Sequence, residues 1–238
     1  MPDRPVLYLL PGLLCDEFVF AAQRPALADC CDVRVANFFG LDSLATMAAS
    51  VLEHAPDRFS LVGYSMGGRV AMQILRQDSR RVERLALLDT SADGSQPGEA
   101  AARGKLTDLA AAQGMKALAE RWLPPLLHPA HRAQPAIVEP LTAMICRATA
   151  ASFEGQVRAL LGRIDSMTVL AGLDCPALLA CGREDTLTPL GEHQAMAEAM
   201  QNAELEIFED AGHFAPVEAP SAVSTALRRW LERPLGPM

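Results

Sequence analysis

Gly63-Tyr64-Ser65-Met66-Gly67 presents a serine with a glycine two residues away on either side, and its hydroxyl could attack a carbonyl if the backbone pushed it clear of its neighbours. The motif follows Phe59-Ser60-Leu61-Val62, an apolar run of strand character, and precedes a helical stretch from Arg69 to Gln77. Glycines suit a sharp strand-to-helix turn, where larger side chains would collide. A serine hydroxyl is a weak nucleophile at neutral pH and needs a base to take its proton. Of the five histidines, His213 lies in Asp210-Ala211-Gly212-His213-Phe214, directly after the last strand candidate and before the last helix. His54, His128, His131 and His193 lie within or beside helical stretches and read as surface or packing residues. The base must hold one tautomer and tolerate becoming a cation, which an adjacent buried carboxylate provides. Asp185 is the favoured acid because it follows a strand and gives the order Ser, Asp, His. Asp89, which also ends a strand, is its rival, while Glu184 and Asp210 read as solvated loop acids.

Attack on a carbonyl creates an oxyanion that preset donors must meet, each contributing about 3 kcal/mol in the transition state. The backbone amide of Met66 is one candidate. The other comes from the loop Pro11-Gly12-Leu13-Leu14, with Leu13 preferred and Leu14 the alternative. Cys15 beside them reads as a passive thiol. Since a histidine base acts only when neutral, activity is expected to fall on the acid side of the ordinary imidazole range.

Such residues must be carried by strands and helices in a fixed order. Val6 to Leu10 is a continuous apolar run closed by Pro11-Gly12, as expected of a strand buried on both faces. Further strands are expected at 33–36, 59–62, 82–88, 176–181 and 204–208, with helices at 41–54, 69–77 and 189–200 and an amphipathic one around Val223, Ala226, Leu227, Trp230 and Leu231. From Asp93 to Leu173 no strand is convincing, and Ala/Leu-rich helical stretches are broken by glycines and prolines. The expected organisation is an α/β core over 1–92 and 174–238, with a mostly parallel sheet of about six strands flanked by helices, and a helical cap insertion over 93–173.

The chain has 238 residues, half of them hydrophobic and 21% charged, which suits an ordered globular protein. A net charge of −8 with no dense Lys/Arg run argues against nucleic acid or anionic lipid as a partner. No apolar stretch is long enough to span a bilayer and the amino terminus lacks the pattern of a secretory signal, so a cytoplasmic location is expected. The six cysteines show neither C-x-x-C pairs nor zinc-ligand spacing, and no metal or organic cofactor is expected.

In combination, these motifs resemble the α/β-hydrolase superfamily over nearly the whole chain, from Val6 to Trp230. Enzymes of that superfamily usually carry His-Gly where this chain has Pro11-Gly12, so a side chain that normally braces the loop is missing. Gly63-Tyr64-Ser65-Met66-Gly67-Gly68-Arg69 is similar to the nucleophile region of the SHCHC synthases, lyases that use the same three residues. The general layout is similar to the 3-oxoadipate enol-lactonases and small carboxylesterases. Arg69 itself reads as a surface or helix-start residue. The resemblance implies cleavage of a small to medium ester, thioester or lactone through a Ser65 acyl-enzyme. The alternatives are a lyase in which His213 removes a carbon-bound proton, and a ligand-binding protein on the same fold. Trp122, Leu126 and Phe153, with Leu123, Leu127 and Met144, are expected to line the pocket from the cap.

Overall fold

In the computed structural model, which describes residues 4–235, six strands form one sheet: β1 (Val6–Leu10), β2 (Asp32–Val35), β3 (Phe59–Tyr64), β4 (Val82–Leu88), β5 (Ala177–Gly182) and β6 (Ala203–Phe208). They lie in the order β2-β1-β3-β4-β5-β6, and every pairing is parallel. The sequence explains the order. Central strands β3 and β5 are buried at every position, as a sheet covered on both faces requires. The edge strands alternate polar and apolar side chains, with Asp32 and Arg34 in β2 and Glu204 and Glu206 in β6.

Helices α1 (Gln23–Leu27), α2 (Leu44–Leu52) and α3 (Met66–Asp78) fall between the first four strands, and α4 (Glu99–Trp122), α5 (Pro135–Arg147), α6 (Ala150–Leu161) and α7 (Met167–Ala171) between β4 and β5. Then come α8 (Leu190–Ala199), the short α9 (Ala215–Glu218) and α10 (Pro220–Leu231). Two layers follow from their contacts: α2, α3, α7 and α8 touch in succession, while α1 packs on α10. Ser43 starts α2 by accepting the Thr46 amide at 3.1 Å. One face of α10 buries Val223, Ala226, Leu227 and Trp230, and the indole Nε1 donates to the Pro176 carbonyl at 3.1 Å. The expected strands and helices are thus found, within a few residues at their ends.

The 93–173 segment is helical throughout its regular structure, with α4 packed on α5 and α6. A left-handed Gly114 breaks α4 into two pieces. Its last helix, α7, touches α3 and α8 and so belongs with the layer beside the sheet. Because β2 lies on one side of β1 and β3 on the other, the chain reverses its winding between β1 and β3. Beyond the carboxyl ends of those two strands a crevice opens, the place where open α/β sheets bind ligands.

Candidate active site

The loops leaving β1, β3, β4, β5 and β6 meet at that edge. Among the described residues three non-glycine residues take left-handed backbone angles, Leu14 (φ 61°), Ser65 (φ 52°) and Asp89 (φ 45°), each a few residues or fewer past a strand end. Such conformations cost of order 1–3 kcal/mol each and cluster where function demands them. Ser65 is held there by its amide donating to the Leu88 carbonyl at 2.9 Å, and by the Thr90 hydroxyl and Gly68 amide donating to its own carbonyl at 2.8 and 2.9 Å. A side chain at Gly67 would put its Cβ 1.9 Å from the Leu10 carbonyl oxygen, so only glycine lets α3 start so close to β1.

Ser65 Oγ lies 2.9 Å from His213 Nε2, and His213 Nδ1 lies 2.8 Å from Asp185 Oδ2. Asp185 also accepts the Leu187 amide, the Thr188 amide and the Thr188 hydroxyl, at 2.8, 3.0 and 2.6 Å. Burial is the largest influence on this carboxyl and raises its pKa, but the adjacent His213 and the hydrogen bonds from His213 and Thr188 outweigh it and bring the value down to about 2. Asp89 contrasts with it. Its Oδ1 accepts the Gly182 amide at 2.9 Å, its Oδ2 has no partner, and burial followed by the nearby Asp185 pushes its pKa well up. The imidazole thus favours the ionised form of Asp185, while burial disfavours the charge on Asp89.

His213 is fixed through its backbone as well. Its amide donates to the Leu126 carbonyl at 2.7 Å, and Glu218 Oε1 accepts the flanking Gly212 and Phe214 amides at 2.9 and 3.1 Å. Glu218 Oε2 takes the His128 amide at 2.7 Å and contacts His131 Nδ1 at 2.9 Å. His193, by contrast, is a buried packing residue whose Nε2 accepts the Thr90 amide at 3.1 Å. His54, Glu184 and Asp210 are exposed.

Met66 opens α3, so its amide has no carbonyl one turn back within the helix. Leu14's amide is engaged by Gln156 Oε1 at 2.9 Å, whereas Leu13's amide has no partner among the described residues. A cavity of about 950 Å³ is lined by Ser65, Leu13 and Met66, and across it by Trp122, Leu126, Leu106 and Leu160. Trp122 stands edge-on to Phe214, with ring centroids 6.4 Å apart. Phe153 corrects the expectation: it is fully buried on α6 and does not line this cavity, and Leu123, Leu127 and Met144 are likewise core residues. Leu160, seven residues further along the same helix, is the α6 side chain that reaches the cavity.

Arg69 lies near the start of α3, as one of its two expected placements has it, and is not a surface residue. It is buried, lines the cavity with Ser65, and donates to the Asp93 carbonyl at 2.6 Å and to the Ser91 hydroxyl. No carboxylate pairs with it among the described residues; burial, then the nearby Arg163, lowers its pKa to about 10. Arg163 itself is tied to Glu99 through two bonds of 2.7 Å. Among the described residues no group of three His, Cys, Asp or Glu side chains is arranged to hold a metal ion.

The match to the family model for the alpha/beta hydrolase family runs over residues 7–226. The chain belongs to the alpha/beta hydrolase family. Among curated relatives, the 3-oxoadipate enol-lactonase 2 of Acinetobacter baylyi is 26% identical, over 82% of this chain and 72% of the relative. The 2-succinyl-6-hydroxy-2,4-cyclohexadiene-1-carboxylate synthase of Klebsiella pneumoniae is 28% identical, over 84% of this chain and 78% of the relative. Among solved structures, a malate-bound thermophilic esterase from Thermogutta terrifontis superposes with a TM-score of 0.88 at 29% identity, covering 96% of this chain and 90% of that one. Its strand order and helical layers are those of an alpha/beta hydrolase with esterase and lactonase relatives.

Proposed function

We propose that this chain is a serine hydrolase that cleaves a small to medium carboxylic ester, thioester or lactone through a Ser65 acyl-enzyme. The observation that carries this reading is the unbroken chain from Ser65 Oγ through His213 to the ionised Asp185. Ser65 attacks the carbonyl carbon as His213 Nε2 takes its proton, and the carbonyl electrons move to oxygen. Asp185 keeps the proton of His213 on Nδ1, leaving Nε2 free to act as base, and stabilises the imidazolium. The Leu13 and Met66 amides meet the oxyanion. The tetrahedral adduct collapses as His213 protonates the departing alkoxide or thiolate. Water, deprotonated by the same nitrogen, then releases the acid and restores Ser65.

The cavity refines the substrate. Trp122, Leu126, Leu106 and Leu160 offer an apolar wall, and Arg69 supplies a cation one helical turn from Ser65 with no carboxylate of its own. A substrate with an apolar body and a carboxylate near the scissile carbonyl fits both. Of the two curated relatives, one is named for cleaving an oxoadipate enol-lactone and the other for making a succinyl cyclohexadiene carboxylate, and both named compounds carry a carboxyl group.

The second relative also favours a competing reading, in which His213 abstracts a carbon-bound proton and no acyl-enzyme forms. A panel of esters, thioesters and lactones, with and without a carboxylate, separates the two. Turnover of one or more members by the wild type, lost in Ser65→Ala, supports the hydrolase. Inertness toward the whole panel contradicts it.

A further inference from the structure

The loop after β1 carries Pro11 where many family members have a bracing histidine, yet it holds a costly conformation. Cys15's amide donates to the Gly12 carbonyl at 3.1 Å, closing a turn with Leu13 and Leu14 at its centre. Leu14 sits at φ 61°, a region that a bulky side chain leaves unless its surroundings hold it there. What holds it is remote in sequence. Gln156, fully buried on α6, accepts the Leu14 amide through Oε1 at 2.9 Å and donates through Nε2 to the Phe38 carbonyl at 3.3 Å. One neutral amide thus ties together the loops that follow β1 and β2, and a carboxylate or an amine in its place could not do both.

We propose that Gln156 is a positioning residue for the oxyanion loop, engaging the Leu14 amide and fixing the turn so that the Leu13 amide is the one presented to the reacting carbonyl. This rests on the serine-hydrolase reading. Leu13 lines the cavity and Leu14 does not. The loop also lies hard against the nucleophile, since a Cβ built on Gly12 would be 3.2 Å from Ser65 Cβ, so a small shift of the turn changes the donor's distance from the reaction. Misplacement of about 1 Å can cost on the order of 10²-fold in rate. The far end of the loop has its own tie to the helical segment, from Arg147 Nε to Asp16 Oδ2 at 2.5 Å. Gln156 is therefore the link that acts on the turn itself.

The test compares Gln156→Met, which keeps the length but can neither accept nor donate, with Gln156→Glu, which keeps an acceptor for the Leu14 amide. Both are assayed beside the wild type on p-nitrophenyl butyrate, and the binding of butylboronic acid, which forms a tetrahedral adduct on a reactive serine, is measured in parallel. Acylation and deacylation both pass through an oxyanion, so loss of a donor slows both and leaves KM nearly unchanged. Gln156→Met is expected to lower kcat about 10- to 100-fold with KM within about twofold, and to weaken the boronate by a similar factor. Gln156→Glu is expected to recover at least about fivefold of that kcat. A Gln156→Met enzyme within about twofold of wild-type kcat, a loss confined to KM, an unchanged boronate affinity or a Gln156→Glu enzyme no better than Gln156→Met each overturns the proposal. If Gln156→Met shows no folding transition by circular dichroism, Gln156→Asn, an amide one methylene shorter, is judged by the same kcat, KM and boronate criteria. Should the wild type not turn over p-nitrophenyl butyrate, the variants are compared on the panel member it turns over fastest; wild-type protein inert toward every ester, thioester and lactone overturns the hydrolase reading and this inference with it, whereas active wild type with unaffected variants overturns the role of Gln156 alone.

Discussion

Asp185 pairs with the His213 imidazole and Asp89 does not, and their surroundings shift the two carboxyl pKa values in opposite directions. Asp185 receives three hydrogen bonds from its own turn and one contact from His213, while Asp89 receives the Gly182 amide and leaves an oxygen unpartnered. Asp185→Asn is therefore expected to lower kcat by about 10³- to 10⁴-fold, because the amide favours the wrong tautomer of the base. Asp89→Asn should cost far less, and steady-state kinetics giving the reverse ranking would move the acid to Asp89. Arg69 makes a separate prediction: Arg69→Gln should lower the preference for p-nitrophenyl hemisuccinate over p-nitrophenyl butyrate, measured as a ratio of kcat/KM, by about tenfold or more. An unchanged ratio removes Arg69 from substrate recognition. That Ser65, His213 and Asp185 come together could be read from the sequence, because each sits in a short motif at a strand end. Of the two placements the sequence offers for Arg69, the helix start holds and the surface does not, because its charge suggests solvent while its partners, the Ser91 hydroxyl and the Asp93 carbonyl, lie on the loop after β4. Gln156 left no local signal, since its partners lie on other loops, Leu14 being 142 residues away, and Glu218 joins the nearby Gly212 and Phe214 amides to the distant His128 and His131.

At the scale of elements, the site depends on how close α3 can start to β1. Gly67 faces the Leu10 carbonyl with no room for a methyl group, and a backbone oxygen at the end of a central strand cannot swing aside. Gly67→Ala is expected to destabilise the protein by several kcal/mol, on the order of 10 °C in melting temperature for a chain of this size. A melting temperature within about 2 °C of wild type would show that the elbow is more pliable than its geometry implies. The strands were legible because the central ones are almost continuously apolar and the edge ones alternate. Helix ends in the 93–173 segment were not. Gly114 looks like a terminator, yet α4 resumes after it, and α7 joins the layer beside the sheet through contacts that no periodicity announces.

The molecule as a whole is one parallel sheet at whose carboxyl edge the proposed reacting groups gather from four loops, those after β1, β3, β5 and β6, and among the described residues no helix is long and apolar enough to cross a membrane. Its stability should depend on pH through groups buried near that edge. Burial is the main reason the pKa of His193 falls from 6.5 to about 4. Between those values the unfolded chain binds a proton that the folded chain refuses, so stability declines as pH falls from about 6.5 to about 4. His193→Gln, which keeps an acceptor for the Thr90 amide, should flatten that part of the melting-temperature profile, and a profile parallel to wild type would contradict the assignment. Asp185 acts lower: its pKa is depressed from 3.8 to about 2, so the stability it contributes is present above about 4 and is lost as pH falls toward 2. The central claim, a covalent acyl-enzyme on Ser65, is tested most directly by the intact mass of the protein after exposure to a fluorophosphonate, followed by peptide mapping. The account predicts one adduct per chain, located on Ser65 and lost in both Ser65→Ala and His213→Ala; a folded wild-type protein that stays unmodified, or is modified at another residue, would contradict it.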